Sequence, residues 1–241
     1  MSRHRRASRH LVLETIEELR SNLGLFSFQE NTATTGSDPQ SGFSPQILLR
    51  PGGIVEWLVA NEGAGAVTLA LQILSQSSGG GGTWAVVDTA RECYVPALSG
   101  WGIDLNKLLV LRPATLQETC WSIEQCLRCP GVSATWAWVD QRIPARVHRR
   151  WQMAAEVGGG IGMFFRPVQA RREPIWADSR LLVTPRPGGQ EETRRLHLEV
   201  LYRKGGLGGS TQAWEIDYAT GLVRLVPELA NPTIANRAAR A

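Results

Sequence analysis

No window of the chain holds the roughly 18 uncharged apolar residues that a membrane-crossing helix needs, so no membrane contact is expected. The first ten residues are basic and no apolar run follows them, so no secretory signal is expected either. Cysteine is scarce. Cys93, Cys120, Cys126 and Cys129 do not pattern as a disulfide framework in a chain of 241 residues. Charge of one sign does not dominate. The formal net charge is +4, with a pI of about 9.2, which permits nucleic-acid contact without demanding it. A cytoplasmic protein is the expectation.

The most informative lack is local. Ile54–Val59 reads as a strand, and Thr68–Leu74 as the first turns of a helix. Between them lies Ala60-Asn-Glu-Gly-Ala-Gly-Ala-Val67. A phosphate-binding loop sits between two such elements and reads G-x-x-x-x-G-K-[ST]. Here Ala60 stands at the first Gly, Gly65 at the second, Ala66 at the Lys and Val67 at the Ser/Thr. The Lys would have placed a cation on the phosphates, and the hydroxyl would have held Mg²⁺. The chain keeps the turn and drops the two side chains that hydrolysis needs most. Backbone N–H groups and the helix dipole still attract an anion. Losing two charge-assisted contacts of roughly 1.5–3 kcal/mol each weakens that binding severely. Glu62, Gly63, Gly65 and Thr68 are therefore the candidate cofactor-contacting residues of a degenerate loop. The favoured reading is a tight strand-to-helix turn, with no ATP requirement and no enzymatic activity.

What is present is a large apolar reserve, 43% of residues with nine Trp. Strand-like and helix-like segments alternate from residue 46 onward, and the strands are apolar throughout. That pattern predicts an α/β fold with a mostly parallel sheet covered by helices on both faces. The predicted strands are Ile47–Arg50, Ile54–Val59, Thr83–Asp88, Leu108–Arg112, Ala134–Val139 and Ile161–Arg166. The predicted helices are Val67–Ser75, Pro96–Trp101, Leu116–Leu127 and Arg146–Glu156. Beyond residue 178 the character changes. Ser179–Thr184, Leu196–Tyr202, Gln212–Ile216 and Leu222–Val226 read as antiparallel strands at the sheet's C-terminal edge. The expected organisation is a basic arm plus N-terminal helix at 1–30, a linker at 31–45, the core at 46–226 and a tail at 227–241. The arm is either a solubilising segment or a nucleic-acid contact. The helix Leu11–Leu23 carries Glu14, Glu17 and Glu18 on its polar face and is a candidate docking element.

Ile54-Val-Glu-Trp-Leu-Val-Ala-Asn-Glu-Gly-Ala-Gly-Ala-Val-Thr-Leu-Ala-Leu71 resembles the phosphate-loop segment of the RecA recombinase family. Gly102-Ile-Asp-Leu-Asn-Lys-Leu-Leu-Val110 resembles that family's motif after its second helix. The chain is most similar to the ImuA-type group. Its pattern is visible in Arg50-Pro-Gly-Gly-Ile-Val-Glu56, Gln125-Cys-Leu-Arg-Cys-Pro-Gly-Val132 and Arg149-Arg-Trp-Gln-Met-Ala-Ala-Glu156. It appears again in Trp176-Ala-Asp178 and Lys204-Gly-Gly-Leu-Gly-Gly-Ser210, so the resemblance covers 47–217. It implies a RecA-like core and a role in damage-induced (SOS) error-prone translesion DNA synthesis. The implied partners are a Y-family polymerase-like protein and a replicative-type error-prone polymerase. A RecA-type recombinase, single-stranded DNA and a second copy of the chain are further candidates, and the working location is the nucleoid.

The departures from the family matter equally. The Glu that activates water in recombinases aligns with Ala90, two residues short of Glu92. The phosphate-sensing amide is replaced near Arg166-Pro167. Asp140 follows the fourth strand as a Walker-B-type acid, without a hydroxyl at Val67 to share a metal. An atypical DNA-dependent ATPase using Glu92 and Asp140 is one alternative. A damage-induced cell-division inhibitor and a plain DNA-binding module are the others.

In the resembled family the loop after the fifth strand approaches DNA. Here it reads Arg166-Pro-Val-Gln-Ala-Arg-Arg-Glu-Pro174. Arg171 and Arg172 are the candidate phosphate contacts, with Arg203 and Lys204, and with Arg194 and Arg195 beside them. Such contacts are sequence-independent and salt-sensitive. A solvated loop is the competing reading. Cys126-Leu-Arg-Cys129 closes a helix rather than opening one and has no second ligand pair, so ordinary packing is expected and no metal. His148 sits among Arg146, Arg149 and Arg150 and is expected on a solvated basic face. Trp57 and Trp84 are expected in the core. Trp136 and Trp138 share one strand face, either core or partner surface.

Overall fold

The computed structural model describes residues 49–226, except 62, 78–81, 102, 175, 188–192, 207 and 219–222. The expected arm, N-terminal helix, linker and tail lie outside the described residues, as does Glu62.

β1 (Ile54–Val59) is built from β-branched, aromatic and aliphatic residues. It pairs in parallel with β5 (Ile161–Pro167) on one side and β6 (Ser179–Arg186) on the other. A strand paired on both sides with covered faces reads as a continuous apolar run, which this one does except at Glu56. After β1 the chain runs through α1 (Ala66–Ser77), β2 (Thr83–Val87), α2 (Val95–Ser99), a 3-10 turn at Leu105–Lys107 and β3 (Leu108–Leu111). It continues through α3 (Leu116–Arg128), β4 (Val132–Trp138), α4 (Ala145–Gly158), β5 and a 3-10 helix at Val168–Arg172. β6, β7 (Thr193–Arg203), β8 (Thr211–Asp217) and β9 (Val223–Val226) complete it. The sheet order is β3-β2-β4-β5-β1-β6-β7-β8-β9. The pairs from β3 to β6 are parallel and those from β6 to β9 antiparallel.

The two faces carry separate cores. Val55 and Trp57 join α1 residues Leu69, Leu71 and Leu74 on one face. Ile54 joins Ile123, Leu127, Trp151 and Ala154 of α3 and α4 on the other. Thr115 caps α3 by accepting from Glu118 N at 3.2 Å, while Glu118 reaches back to Ala114 N at 3.0 Å. Gly159 ends α4 in the left-handed region (φ 77°), where a Cβ would be strained. Along β7, Leu196, Leu198 and Val200 are buried while the residues between them are not, the alternation of a one-sided antiparallel sheet.

Of the strand expected at Ile47–Arg50, Ile47 and Leu48 lie outside the described residues, and the other two correct the expectation. Leu49 packs into the core, but neither it nor Arg50 lies in a strand. Gly53 N closes a turn onto Arg50 O at 2.9 Å, and Gly52 N bonds Gly159 O at 3.0 Å, so the segment's hydrogen bonds go to a turn and a helix end. No described helix is long and apolar enough to cross a membrane.

Candidate functional site

The loop between β1 and α1 keeps its glycine geometry. Gly63 and Gly65 both have positive φ, 67° and 81°. A Cβ on Gly65 would come within 3.0 Å of the Leu196 side chain, so this glycine also lets the loop press against β7. Ala64 and Ala66 are buried, 1% and 2% exposed, and Ala66 belongs to the core cluster beneath α1. Val67 and Thr68 are half-buried. The position that would carry the Lys is thus an apolar helix start, and Val67 presents a branched aliphatic side chain in place of a hydroxyl.

Val67 and Thr68 line a groove of about 290 Å³ together with the carboxyl ends of β2 and β4. This is a topological switch point, since α2 after β2 packs on the α1 face of the sheet and α4 after β4 on the other. Open α/β sheets bind ligands at such points. The lining is aromatic: Tyr94, Trp101, Trp136 and Trp138, with Leu71, Val86 and Leu98 beneath. Among the described residues its acids are Asp88 and Glu92, and no Lys or Arg lines it. Trp136 is 6% exposed and Trp138 38%, so the pair divides, one core and one at the surface. Trp138 packs on Phe165 with ring centroids 5.3 Å apart. Trp57 and Trp84 are both core, as expected.

Asp88 is 5% exposed and braces the loop after β2. Its carboxylate accepts from Glu92 N at 3.0 Å and Cys93 N at 3.3 Å, and lies 3.5 Å from Arg112 Nε. Burial, then Asp88, pushes the Cys93 thiol upward, away from the reactive thiolate. Glu92 and Asp140, the two acids of the ATPase alternative, line different grooves. Asp140 faces a second one of about 260 Å³ with Thr115, Gln141 and Ile143. Thr89, Ala90 and Trp138 line both, so the grooves adjoin.

A buried charged cluster lies on the other face of β1, and the apolar reading of that strand missed it. Glu56, Arg166 and Arg180 are 4%, 2% and 1% exposed. Arg166 Nη1 donates to Glu56 Oε1 at 2.9 Å, and Arg180 Nε donates to Glu56 Oε2. Arg166 also reaches Glu173 Oε2 at 2.9 Å. Arg180 Nη1 donates to the Glu173 carbonyl at 3.0 Å and to that of Arg171 at 3.3 Å. Two carboxylates thus balance two guanidinium groups, and the segment after β5 is tied to the sheet. Arg166 is therefore no member of a DNA-facing basic stretch. The sequence signal was a lone Glu in an apolar central strand, which demands a buried cation.

That segment is a 3-10 helix rather than an open loop, and it presents Arg171 and Arg172 to solvent. Arg171 Nη2 lies 3.8 Å from Glu199 Oε1. Lys204 Nζ lies 3.6 Å from Asp178 Oδ1. Arg203 is half-buried at the end of β7, opposite Ser179. Of the four candidate DNA contacts, Arg171 and Lys204 each face an acid. Arg195 is exposed and shares Glu215 with Arg224, with Arg195 Nε at 3.0 Å from Glu215 Oε2. Arg194 is half-buried opposite Ile216.

His148 corrects the expectation of a solvated face. It stacks on Trp151, 5.5 Å between centroids, and its Nε2 is buried with no partner among the described residues. Burial, then the nearby Arg166, pushes the imidazole below its ordinary value. Arg149 and Arg150 are exposed, as expected. Cys126 and Cys129 are buried free thiols, and burial pushes Cys126 up to about 12. Among the described residues no group of His, Cys, Asp and Glu side chains is placed to hold a metal ion.

No protein-family model matches the chain, and no curated protein does. Among solved structures the chain is similar to the flagellar accessory protein FlaH from Methanocaldococcus jannaschii, with a TM-score of 0.54. That similarity covers 74% of this chain and 91% of the other at 8% identity. At such identity the likeness speaks to the fold alone. The parallel sheet with helices on both faces and antiparallel strands at its C-terminal edge is a RecA-like α/β fold.

Proposed function

We propose that the chain is a non-hydrolysing, RecA-like accessory protein of DNA-damage-induced, error-prone translesion synthesis. It acts by binding partners, a Y-family polymerase-like protein and a replicative-type error-prone polymerase, at the nucleoid of the cytoplasm. The observation that carries the non-hydrolysing half is the groove beside the loop. Where phosphate chemistry needs a cation and a hydroxyl, the chain offers buried Ala66 and aliphatic Val67, and among the described residues a lining of Trp, Tyr, Asp and Glu without Lys or Arg. A triphosphate placed there would meet two carboxylates and, among the described lining residues, no Lys or Arg. The translesion half rests on the ImuA-type resemblance in sequence.

The test is nucleotide binding and turnover by the purified protein, with and without single-stranded DNA, beside mutation frequency in damaged cells lacking the protein. The expected results are no measurable ATP binding or turnover and a loss of damage-induced mutagenesis. DNA-stimulated ATP turnover would overturn the accessory reading. Filamentation on overexpression, with mutagenesis unchanged, would favour a cell-division inhibitor.

Direct DNA contact is a second reading. It is favoured by Arg172, exposed on the 3-10 helix after β5 with no ion-pair partner among the described residues. Its salt dependence is its test.

A further inference from the structure

We propose that the groove between α1 and the carboxyl ends of β2 and β4 is a cage for one basic side chain, arginine or lysine, presented by a protein partner. The proposal rests on the non-hydrolysing reading and names what the groove takes instead of a nucleotide.

Three of its rings reach the surface. Tyr94 is 71% exposed, Trp138 38%, and Trp101 is half-buried. Exposed aromatic rings that converge on one groove differ from rings scattered over a surface, because together they offer several electron-rich faces to one guest. A guanidinium or ammonium group over such faces is attracted by their quadrupoles, and the attraction grows as water is excluded. Glu92 adds a carboxylate. It is exposed, and the hydrogen bond at this corner uses its backbone N–H, so its side chain is available to a cation. Asp88 is already held by two N–H groups and faces Arg112, so it contributes local negative potential rather than a contact.

The same lining selects against the alternatives. Among the described residues lining the groove, a phosphate meets Asp88 and Glu92 and no Lys or Arg. A purely apolar side chain gains the rings but leaves Glu92 partly desolvated without a partner. A side chain held among the rings leaves its backbone outside them, which fits a basic residue presented by a protein. At about 290 Å³ the groove is small for a ligand pocket, with room for one long side chain and its local backbone.

The experiment is a proton–nitrogen NMR titration of the full chain, following the Trp138 indole signal and the Tyr94 amide. The probes are the capped tripeptides acetyl-Gly-Arg-Gly-amide, acetyl-Gly-Lys-Gly-amide and acetyl-Gly-Gln-Gly-amide, and AMP. The expected result is saturable shifts with the Arg and Lys peptides, at least about five-fold tighter than with the Gln peptide. Tyr94→Ala and Glu92→Gln change exposed side chains, so the fold should survive. Each should weaken the Arg peptide by about three-fold or more. No shift with any probe, or equal shifts with the Gln peptide, would overturn the cage and leave the non-hydrolysing reading standing. Preferential binding of AMP would overturn the cage and the exclusion of nucleotides from the groove, and ATP turnover measured on the same protein decides the non-hydrolysing reading separately.

Discussion

Arg166 on β5 donates to the Oε1 of Glu56 on β1 at 2.9 Å, and Arg180 on β6 takes the other oxygen. Three adjacent strands are thereby joined through one carboxylate that is 4% exposed. Removing one partner of a buried pair costs about 3–5 kcal/mol, because the remaining charges stay desolvated. Glu56→Gln leaves Arg180 without a carboxylate, while Arg166 keeps Glu173, and should fall in that range in urea unfolding. It should also loosen the 3-10 helix Val168–Arg172, since Arg180 holds the Arg171 and Glu173 carbonyls. Hydrogen exchange at 168–173 would then rise more than exchange in α1. A loss below about 1 kcal/mol would mean the cluster is solvated.

The cluster shows what the sequence could not convey. Alternating apolar strands and helices gave the layer order, and a switch to Gly- and Pro-punctuated strands gave the antiparallel edge. Both are local patterns with a period. Strand order is not local: β1 lies between β5 and β6, over a hundred residues away in the chain, and nothing in Glu56 names Arg166 or Arg180. The loop was legible because its chemistry is a contiguous string. The groove beside it was not, because Thr68, Glu92, Trp101 and Trp138 meet only through packing. Asp140 and Glu92 are paired in sequence reasoning, and they line two adjoining grooves rather than one.

The two loop glycines should respond differently to a methyl group. Gly63 and Gly65 both sit at positive φ, where an L-residue costs about 1–2 kcal/mol. Gly63 has open space around its missing Cβ, whereas Gly65 would press on Leu196 at 3.0 Å. Gly63→Ala should therefore cost about 1 kcal/mol. Gly65→Ala should cost clearly more, and Leu196→Val in that background should recover part of the difference. Equal losses at the two sites would remove the inferred packing of the loop on β7. Thermal unfolding of the four proteins decides it.

His148 gives stability a pH dependence with a definite sign. Its imidazole is held below the ordinary value of 6.5 by burial, then by Arg166, with Glu56 and Glu173 pulling the other way and Arg180 adding to Arg166. The unfolded chain therefore takes up the proton first. Its contribution is present above about pH 6.5 and is lost as pH falls from there toward the folded value, below which it is flat. The stability difference between about pH 8 and about pH 5.5 should be smaller in His148→Phe, which keeps the stack on Trp151 and cannot titrate. An unchanged difference would mean that His148 titrates as if exposed.

Direct DNA binding makes a quantitative demand on the two arginines after β5. Each phosphate neutralised adds about 0.7 to the slope of log affinity against log salt for a single strand. Arg172 is exposed with no ion-pair partner among the described residues, so Arg172→Ala should lower that slope by nearly this amount. Arg171 already faces Glu199 at 3.8 Å, so part of its field is cancelled and Arg171→Ala should lower the slope less. The same geometry predicts that Glu199→Gln strengthens binding, by freeing Arg171 without adding a cation. Fluorescence anisotropy with a labelled oligo(dT) over a salt series measures all three. If both arginine variants keep the wild-type slope, the 3-10 helix is not the DNA contact. The basic face of α4, where Arg146, Arg149 and Arg150 are exposed within five residues, then becomes the surface to substitute next.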